Sequence, residues 1–253
     1  MDLPRDLLGT PRLDSAFAGN CLLATLSKQE RAMLEPDMEV VDLTVGETVL
    51  AMGEITRRSL FPFAGLMVSM RRELAGGRSV EVAAIGREGA VGGIISCGEA
   101  PAFTQAVVQL PGSAAVIALE VLERAKAESA NIRNLFCLYA DALLAQVMQS
   151  VACNAFHPIE ARAARWLLHA QDRAQSDRLE LTQESLAGLL GVQRTTVNAV
   201  ARVLQEEGLI AYRRGAIQVI DRPGLLRVSC DCYAAVEGHF NAVLGSTGRS
   251  DDG

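Results

Sequence analysis

Side chains that can hydrogen-bond to DNA bases are concentrated in one short stretch of the chain. Gln193, Arg194, Thr195 and Asn198 carry amide, guanidinium and hydroxyl groups, and apolar residues at helical spacing follow them. An arginine can bind O6 and N7 of one guanine, and an asparagine or glutamine can bind N6 and N7 of an adenine. We therefore predict that these four residues contact bases.

The stretch from residue 181 to residue 210 contains the elements needed to position those side chains. Thr182 is a favourable N-cap for a first short helix, and Gly191 stands where a helix ends in a left-handed residue. A second helix is predicted over residues 193–207, and Gly208 ends it. Two helices joined by such a turn predict a helix-turn-helix, whose second helix lies in the DNA major groove.

The following segment, residues 209–220, consists of two β-prone runs around Arg213-Arg214-Gly215. This pattern predicts a hairpin with a basic tip, which makes the unit a winged helix-turn-helix. Phosphate contacts are predicted for Thr182, Arg202, Arg213 and Arg214. The plainer alternative is a small α/β packing unit in which each arginine is a solvated surface charge.

Six cysteines and three histidines are the other groups with potential chemistry. Cys230 and Cys232 form the only close pair, but neither a second pair nor a nearby histidine completes four ligands in the sequence. We therefore predict no metal site, and reduced, buried thiols. Cys21 alone cannot hold an iron–sulfur cluster, and residues 38–119 contain no histidine for a haem or a cupin-type metal. Without a catalytic motif in a suitable context, no enzyme is predicted.

The composition is that of an ordinary globular protein with enough chain for two domains. The 253 residues are 49% hydrophobic and 21% charged, with a net charge of −6. Residues 155–227 carry +2 and the remainder −8, which favours contact with phosphate through the C-terminal part alone. We find no unbroken apolar run of about 18 residues and no secretory signal, so we expect a cytoplasmic protein without a membrane segment.

The order of patterns predicts an α+β fold with two domains and a linking helix. Residues 1–19 are expected to form an irregular arm. Short β-rich pieces separated by glycine turns then predict an antiparallel β-barrel of the jelly-roll, double-stranded β-helix type within residues 20–127. A dimerisation helix and hinge are predicted over residues 128–156, the winged helix-turn-helix domain over 157–245, and a disordered tail over 246–253.

The long helix carries two apolar stripes, which indicates two packing partners. We predict that one stripe packs on the β-domain and that the other forms a dimer interface with a second copy of the chain. The residues predicted for that interface are Ile132, Phe136, Tyr139, Leu143 and Gln146. The alternative is a plain core helix. A dimer would present two reading helices to two half-sites.

In this order of domains, the sequence resembles the Crp/Fnr family of bacterial transcription regulators over roughly residues 20–245. The resemblance is strongest from Ile159 through Tyr233, where residues 159–168 and 181–220 look like the DNA-binding domain of the family. It is weaker in the front half, where the glycine-rich segment 85–92 is similar to the entry to the nucleotide pocket of the family. It implies that Arg194 matches an arginine that contacts guanine in relatives. Thr195 stands where many relatives carry a glutamate, and Ala199 where some carry a second arginine. The target sequence is therefore expected to differ from the best-known sites of the family.

The sensor half departs from the family pattern. Cyclic-nucleotide binders of this family use a glutamate on the ribose and an Arg-Ser or Arg-Ala pair on the phosphate, whereas this chain has Gly92-Gly93 and Thr104-Gln105-Ala106 at the corresponding positions. A cyclic phosphate would be buried there without a cation, which is costly. We therefore expect no cyclic AMP, no haem and no iron–sulfur cluster. Gly92, Gly93, Thr104 and Gln105 remain candidates for the pocket of an unknown small-molecule effector.

The sequence thus predicts a homodimeric, sequence-specific regulator of double-stranded DNA that also contacts RNA polymerase. Two alternatives come from other classes of protein. One is a protein-interaction adaptor that kept the architecture without specific DNA binding. The other is a metal-free barrel enzyme with an appended helical domain.

Overall fold

The computed structural model describes residues 13–94, 100–213 and 215–245, and the described part begins with three short helices. These are α1 (Leu13–Gly19), α2 (Cys21–Ala24) and α3 (Lys28–Leu34). The irregular arm predicted for residues 1–19 is therefore wrong from Leu13 onward, because Ala16 and Phe17 bury their side chains in the core and hold α1 in place. Residues 1–12 lie outside the described part. Ser27 and Glu30 form the capping box that the sequence predicts at the start of α3.

The first domain is built from two antiparallel sheets, as predicted. Its strands are β1 (Met38–Leu43), β2 (Thr48–Leu50), β3 (Arg58–Pro62), β4 (Met67–Leu74), β5 (Arg78–Ile85), β6 (Gln105–Leu110) and β7 (Gly112–Ala118). One sheet has the order β1-β7-β3 and the other β2-β6-β4-β5. The β-prone pattern of the sequence does not reveal strand β3, since Arg58 and Pro62 at its ends interrupt the pattern. Apolar residues of both sheets, such as Phe61 and Ile85, share one core.

The two helices after the sheets close this core. They are α4 (Leu119–Glu128) and α5 (Ala130–Phe156), and Ser129 caps the start of α5 by accepting a hydrogen bond from the backbone of Ile132. The predicted dimer residues lie on the inner face of α5 and are almost fully buried within the subunit: Ile132, Phe136, Tyr139, Leu143 and Gln146. The predicted dimer stripe is therefore wrong. It is the stripe that packs on the β-domain, where Tyr139 donates a hydrogen bond to the Ala90 carbonyl at 3.0 Å.

The outer face of α5 is apolar as well. In the described part of the chain, α5 is long and apolar enough to cross a membrane by length and composition alone, and 33% of its most apolar window is buried inside the protein. Leu144, Met148 and Val151 are 53%, 58% and 67% exposed, and they follow each other at spacings of four and three residues. One face of α5 thus serves the core, while the opposite face presents apolar side chains outward.

The second domain contains the helix-turn-helix and its wing, as predicted. Its elements are α6 (Ile159–Ala174), β8 (Arg178–Leu179), α7 (Gln183–Leu190), α8 (Arg194–Glu206), β9 (Ile210–Arg213), β10 (Ala216–Val219), α9 (Arg222–Val228) and α10 (Cys232–Leu244). Strand β8 pairs with β10. The apolar periodicity of residues 225–244 predicts a single terminal helix, which the structure divides between α9 and α10. The division falls at Ser229, whose extended backbone ends α9. The tail from residue 246 lies outside the described part.

The two domains meet where α6 packs against β4 and β5. Met67, Ala84 and Leu110 of the β-domain belong to the same apolar cluster as the inner face of α6. Arg173 of α6 binds Glu88 through Nε at 2.9 Å and Nη2 at 2.8 Å, and it also donates to the Ala84 carbonyl. This buried ion pair fixes α6, and the helices that follow it, against the first domain.

Candidate nucleic-acid interface

The helix-turn-helix is specified by residues at its two turns. The Thr182 hydroxyl oxygen accepts a hydrogen bond from the Ser185 amide at 3.0 Å, which starts α7. Gly191 ends α7 with a φ of +67°, a left-handed conformation that favours glycine. The Val192 amide then bonds back to the Ala187 carbonyl at 3.0 Å and closes the turn. Local hydrogen bonds thus set the angle at which α8 leaves the turn.

Helix α8 has one buried face and one exposed face. Its inner residues pack against α6 and α7: Val197, Val200, Ala201 and Leu204. The predicted base-contacting residues are all exposed at its N-terminal end: Gln193, Arg194, Thr195 and Asn198. Gln193 is the N-cap residue of the helix, and the other three lie in its first two turns. The structure therefore brings the four residues together on one surface, and their contact with bases stays a prediction.

The charged groups on this surface are held loosely. The Arg194 Nε lies 3.8 Å from Glu184 Oε2, and both side chains are largely exposed. The Arg202 Nε donates to Glu206 Oε1 at 2.7 Å, one helical turn further on, and this carboxylate raises the pKa of Arg202. Exposed pairs of this kind contribute little to stability. Both guanidinium groups can therefore exchange their partner for a base edge or a phosphate oxygen.

The wing lies next to α8. Strands β9 and β10 pair through Arg213 opposite Ala216, and Gly215 in the connecting turn has a φ of +83°. Arg213 is exposed, as a phosphate contact requires. Arg214, the other predicted contact on the wing, lies outside the described residues. Thr182 is also exposed, and although its oxygen accepts the capping bond, its hydroxyl proton can still be donated to a phosphate.

The predicted effector-pocket residues belong to two segments of the β-domain. Gly92 and Gly93 pack closely, since a Cβ on Gly92 would lie 2.5 Å from the Arg58 carbonyl oxygen and one on Gly93 would lie 2.1 Å from a Leu119 methyl carbon. Thr104 precedes β6, and Gln105 begins that strand opposite Arg71 of β4. Residues 95–99, which lie between these segments in the sequence, are outside the described part. The assignment of an effector pocket to these residues stays a prediction.

A cavity of about 400 Å³ lies elsewhere, at the junction of the two domains. Charged and apolar residues from α2, the turn after β5, α5, α6 and α10 line it, among them Leu22, Arg87, Asp172, Glu237 and Phe240. A cavity of this size and mixed lining has the dimensions of a small-molecule site. The sequence did not indicate it, because its walls come from five separate elements.

The structure also brings together a group of residues that the sequence analysis did not connect. Cys230 and Cys232 lie against Cys153 and His157, and the four potential ligand atoms lie within 4.8 Å of one another. The expectation that no histidine stands near the cysteine pair is therefore wrong. Burial, and then the Cys153 thiol, raise the pKa of Cys230 to about 12. The spacing of Cys153 and His157, four residues apart at a helix end, is the signal that could have suggested the group.

The fold and the exposed helix define a class of protein: a winged helix-turn-helix domain joined by a long helix to an antiparallel β-domain. Residues 161–228 match the family described as the Crp-like helix-turn-helix domain. The chain also matches the HTH-type transcriptional regulator Cmr of Mycobacterium tuberculosis (strain CDC 1551 / Oshkosh), with 35% identity over 68 residues. That alignment covers 27% of this chain and 27% of the relative, so the chain spans about a quarter of the length of the curated protein it matches.

Solved structures extend the likeness to both domains. A putative Crp/Fnr-family regulator from Eubacterium rectale ATCC 33656 aligns with a TM-score of 0.64 at 17% identity, covering 82% of this chain and 96% of that one. FixK2 from Bradyrhizobium japonicum aligns with a TM-score of 0.65 at 16% identity, covering 76% and 98%. The chain therefore carries a Crp-like helix-turn-helix domain within the fold of the Crp/Fnr family, which confirms the resemblance found in the sequence.

Proposed function

We propose that the protein is a sequence-specific, double-stranded-DNA-binding transcription regulator that acts in the cytoplasm as a homodimer. The observation that carries the proposal is the exposed polar face of α8 within a domain matching the Crp-like helix-turn-helix family. A helix of this kind enters the major groove with its first residues on the base edges. Two copies would read two half-sites about 34–36 Å apart, which is one turn of the duplex.

In this proposal the residues of the surface have different roles. Arg194 binds a guanine through two hydrogen bonds, and Gln193, Thr195 and Asn198 contact neighbouring bases. Thr182, Arg202 and Arg213 bind phosphate oxygens on either side, and these contacts position the helix without reading sequence. Arg214 is assigned the same role from its place in the sequence. The role is one of binding, so no catalytic step is assigned to the protein.

The dimer is proposed to form through the outer face of α5. Leu144, Met148 and Val151 lie on that face at coiled-coil spacing and are exposed in the single chain. Pairing two such faces removes apolar side chains from water and aligns the two long helices. This assignment replaces the buried stripe that the sequence predicted.

The β-domain is proposed to transmit an effector signal to the DNA-binding domain through their shared interface. A Cβ on Gly191 would lie 3.1 Å from a Val80 methyl carbon of β5, so the end of α7 packs directly on the first domain. Trp166 of α6 donates to Glu81 of β5 at 2.8 Å. A ligand that changes the packing of β5 would therefore move the helix-turn-helix. RNA polymerase is proposed as a partner on the basis of the family resemblance alone.

Selection of DNA from a randomised duplex library tests the proposed function. The full-length protein is expected to enrich a sequence with approximate two-fold symmetry. Its affinity for the enriched sequence should fall as the salt concentration rises. Each neutralised phosphate makes the slope of log K against log salt more negative by about 0.9. Retention of DNA without enrichment of any sequence would contradict sequence-specific reading and favour the adaptor alternative.

Sedimentation analysis of charge substitutions tests the dimer interface. Leu144→Glu and Met148→Glu are expected to shift a dimer to a monomer, since a charge would be buried where apolar side chains meet. Leu74→Glu is the matched control, because Leu74 is 49% exposed at the end of β4 and away from α5. A monomeric wild-type protein at all concentrations, or dimers that survive both α5 substitutions, would contradict the proposed interface.

A further inference from the structure

The geometry points to a structural zinc site formed by Cys153, His157, Cys230 and Cys232. Three thiolates and one imidazole are a donor set that tetrahedral structural zinc sites use. The residues come from two parts of the chain. Cys153 lies in the last turn of α5, and His157 is the C-cap residue of that helix. Cys230 lies in the break between α9 and α10, and Cys232 begins α10.

The distances fit a single tetrahedral ion. Cys153 Sγ lies 3.5 Å from Cys230 Sγ, and Cys232 Sγ lies 3.4 Å from His157 Nδ1. Zinc bonds of about 2.3 Å to sulfur and about 2.0 Å to nitrogen separate the ligand atoms by about 3.5–3.8 Å. All four ligand atoms already lie within 4.8 Å of one another. Small side-chain adjustments therefore bring the group to the geometry of a four-coordinate ion.

The surroundings of the four residues support ligation. Cys153 and Cys232 are fully buried and Cys230 nearly so. The second nitrogen of the histidine, Nε2, lies 3.4 Å from Asp231 Oδ1. The Asp231 carboxylate lies beside Nε2 while Nδ1 faces the Cys232 thiol, and a carboxylate beside the far nitrogen is typical of metal-bound histidines. Gln149 Nε2 also donates to Cys232 Sγ at 3.0 Å, as expected around a thiolate ligand.

A plain apolar cluster or a disulfide would account for only part of this arrangement. An apolar cluster is consistent with three buried cysteines, but not with an imidazole oriented by Asp231 with its other nitrogen towards a thiol. A disulfide between Cys153 and Cys230 uses two of the residues and leaves Cys232 and His157 without a role. Zinc uses all four.

The position of the site gives it a structural consequence. Cys153 and His157 lie at the end of α5, directly before the hinge to α6, and the other two ligands belong to the segment after the wing. A bound ion therefore ties the end of the long helix to the α9–α10 segment and restrains the hinge. This consequence concerns the hinge itself and does not depend on DNA binding.

Metal analysis of the full-length protein, purified under reducing conditions without chelator, tests the site. We expect about one equivalent of zinc per chain, because a structural site of this type binds tightly enough to keep its ion through purification. After the zinc is removed, Co²⁺ should give the intense visible absorption of a tetrahedral, thiolate-rich site. Restoring zinc should raise the unfolding temperature and slow hydrogen exchange in residues 153–158.

Substitutions identify the ligands. Cys153→Ser, Cys230→Ser and Cys232→Ser should each abolish the cobalt absorption, whereas Cys137→Ser, at an exposed position of α5, should leave it unchanged. Asp231→Asn keeps every ligand and should lower zinc affinity by about tenfold or more. Because Asp231 is exposed at the start of α10, this variant also separates loss of metal from failure to fold.

Three results would overturn the assignment. One is wild-type protein that holds no zinc and develops no cobalt absorption. The second is full metal content in a variant lacking all three cysteines. The third is mass spectrometry of the non-reduced protein that finds Cys153 and Cys230 joined in a disulfide and no metal bound, which would identify a redox pair instead.

Discussion

Two arginines of the DNA-binding domain show how differently this molecule uses the same side chain. Arg173 in α6 is 5% exposed, and its guanidinium binds the Glu88 carboxylate and two backbone carbonyls, those of His169 and Ala84. Arg194 at the start of α8 is 64% exposed, with one carboxylate at 3.8 Å. A guanidinium whose donors are satisfied inside the protein holds structure together. One whose donors face water is available for a ligand.

The packing around the two arginines differs in the same way. A Cβ on Gly86 would lie 2.7 Å from Arg173 Cγ, and one on Gly89 would lie 2.3 Å from the Tyr139 hydroxyl oxygen. The glycine-rich segment 85–92 thus allows α6 and α5 to approach the β-domain closely. The face of α8 around Arg194 is exposed. The junction between α6 and the β-domain is closely packed, whereas the N-terminal end of α8 is open to solvent.

Substitution of Arg173 should have the largest effect on stability. Arg173→Met leaves the Glu88 carboxylate, which is 26% exposed, without its cation. Breaking a fully buried ion pair costs about 3–5 kcal/mol, so we expect a loss of up to that size in the free energy of unfolding. Urea denaturation measures the loss. Arg124→Met, which breaks an exposed 3.9 Å pair with Asp37, is the matched control and should change stability by less than about 1 kcal/mol.

The double variant Arg173→Met, Glu88→Leu sharpens this test. Removing both charges eliminates the unpaired carboxylate, so the double variant should be more stable than Arg173→Met alone. If the single substitution costs no more than the control, the ion pair does not hold the junction. Arg173 and Arg194 would then differ in burial but not in their contribution to stability.

Features determined by neighbouring residues were the ones that could be predicted from the sequence. Thr182 and Gly191 define the ends of α7 by local hydrogen bonds and a left-handed φ, and both are visible in a single short stretch. The second helix and the hairpin follow from apolar spacing in the same stretch. The four candidate base-contacting residues could therefore be placed on one surface without knowledge of the rest of the fold.

Features that depend on distant packing could not be predicted in this way. Helical periodicity shows that α5 has two apolar stripes, but it does not show which stripe faces the β-domain, so Phe136 and Tyr139 were assigned to the wrong side. The Cys153–Cys230 contact joins residues 77 positions apart. The junction of Arg173 with Glu88 spans 85 positions. Such contacts exist only after the two domains have packed together.

Substitution of Arg194 should weaken DNA binding and leave stability almost unchanged, whereas substitution of Arg173 should mainly lower stability. Arg194→Ala is expected to weaken binding to the selected DNA by about 1–3 kcal/mol and to relax preference at one base pair. Its free energy of unfolding should change by less than about 0.5 kcal/mol, since the side chain is exposed. Fluorescence anisotropy with selected and scrambled duplexes measures both affinity and preference. Arg124→Ala, which removes an exposed arginine far from α8, should leave both unchanged. An equal loss for both duplexes would make Arg194 a phosphate contact.

Acidification should weaken the packing of α6 against the β-domain and leave the exposed N-terminal end of α8 unchanged. His169 is buried beside Arg173, and Glu237 lies 3.3 Å from its Nδ1. Burial lowers the pKa of His169, and Glu237 opposes that effect without overcoming it. The unfolded chain therefore binds more protons than the folded one, and stability is lost as the pH falls below about 6.5. The lowered pKa of Glu237, caused first by its hydrogen bond with His169, acts in the same direction at lower pH.

Thermal unfolding between about pH 7.5 and about pH 5.5 measures this effect. The unfolding temperature should fall with pH in the wild type and fall less in His169→Gln. His239→Gln is the control, because that histidine lies in a partly exposed pair with Asp141. If His169→Gln and the wild type lose stability in parallel, the buried histidine does not cause the acid sensitivity.

The smallest effect is expected from Glu184, and it has the opposite sign. Its carboxylate lies 3.8 Å from Arg194 and close to where a phosphate would approach α7. In the free protein it partly neutralises Arg194, and in a complex it repels the DNA backbone. Glu184→Gln should therefore tighten DNA binding, by no more than about 1 kcal/mol because exposed pairs are weak, and the gain should shrink as salt rises. Glu206→Gln is the comparison variant, because it releases Arg202, which lies about two turns after Arg194 on α8. Weaker binding by Glu184→Gln would mean that the carboxylate positions Arg194 for its base. The exposed end of α8 would then be organised before DNA binds, as the buried contact between Arg173 and Glu88 is organised within the protein.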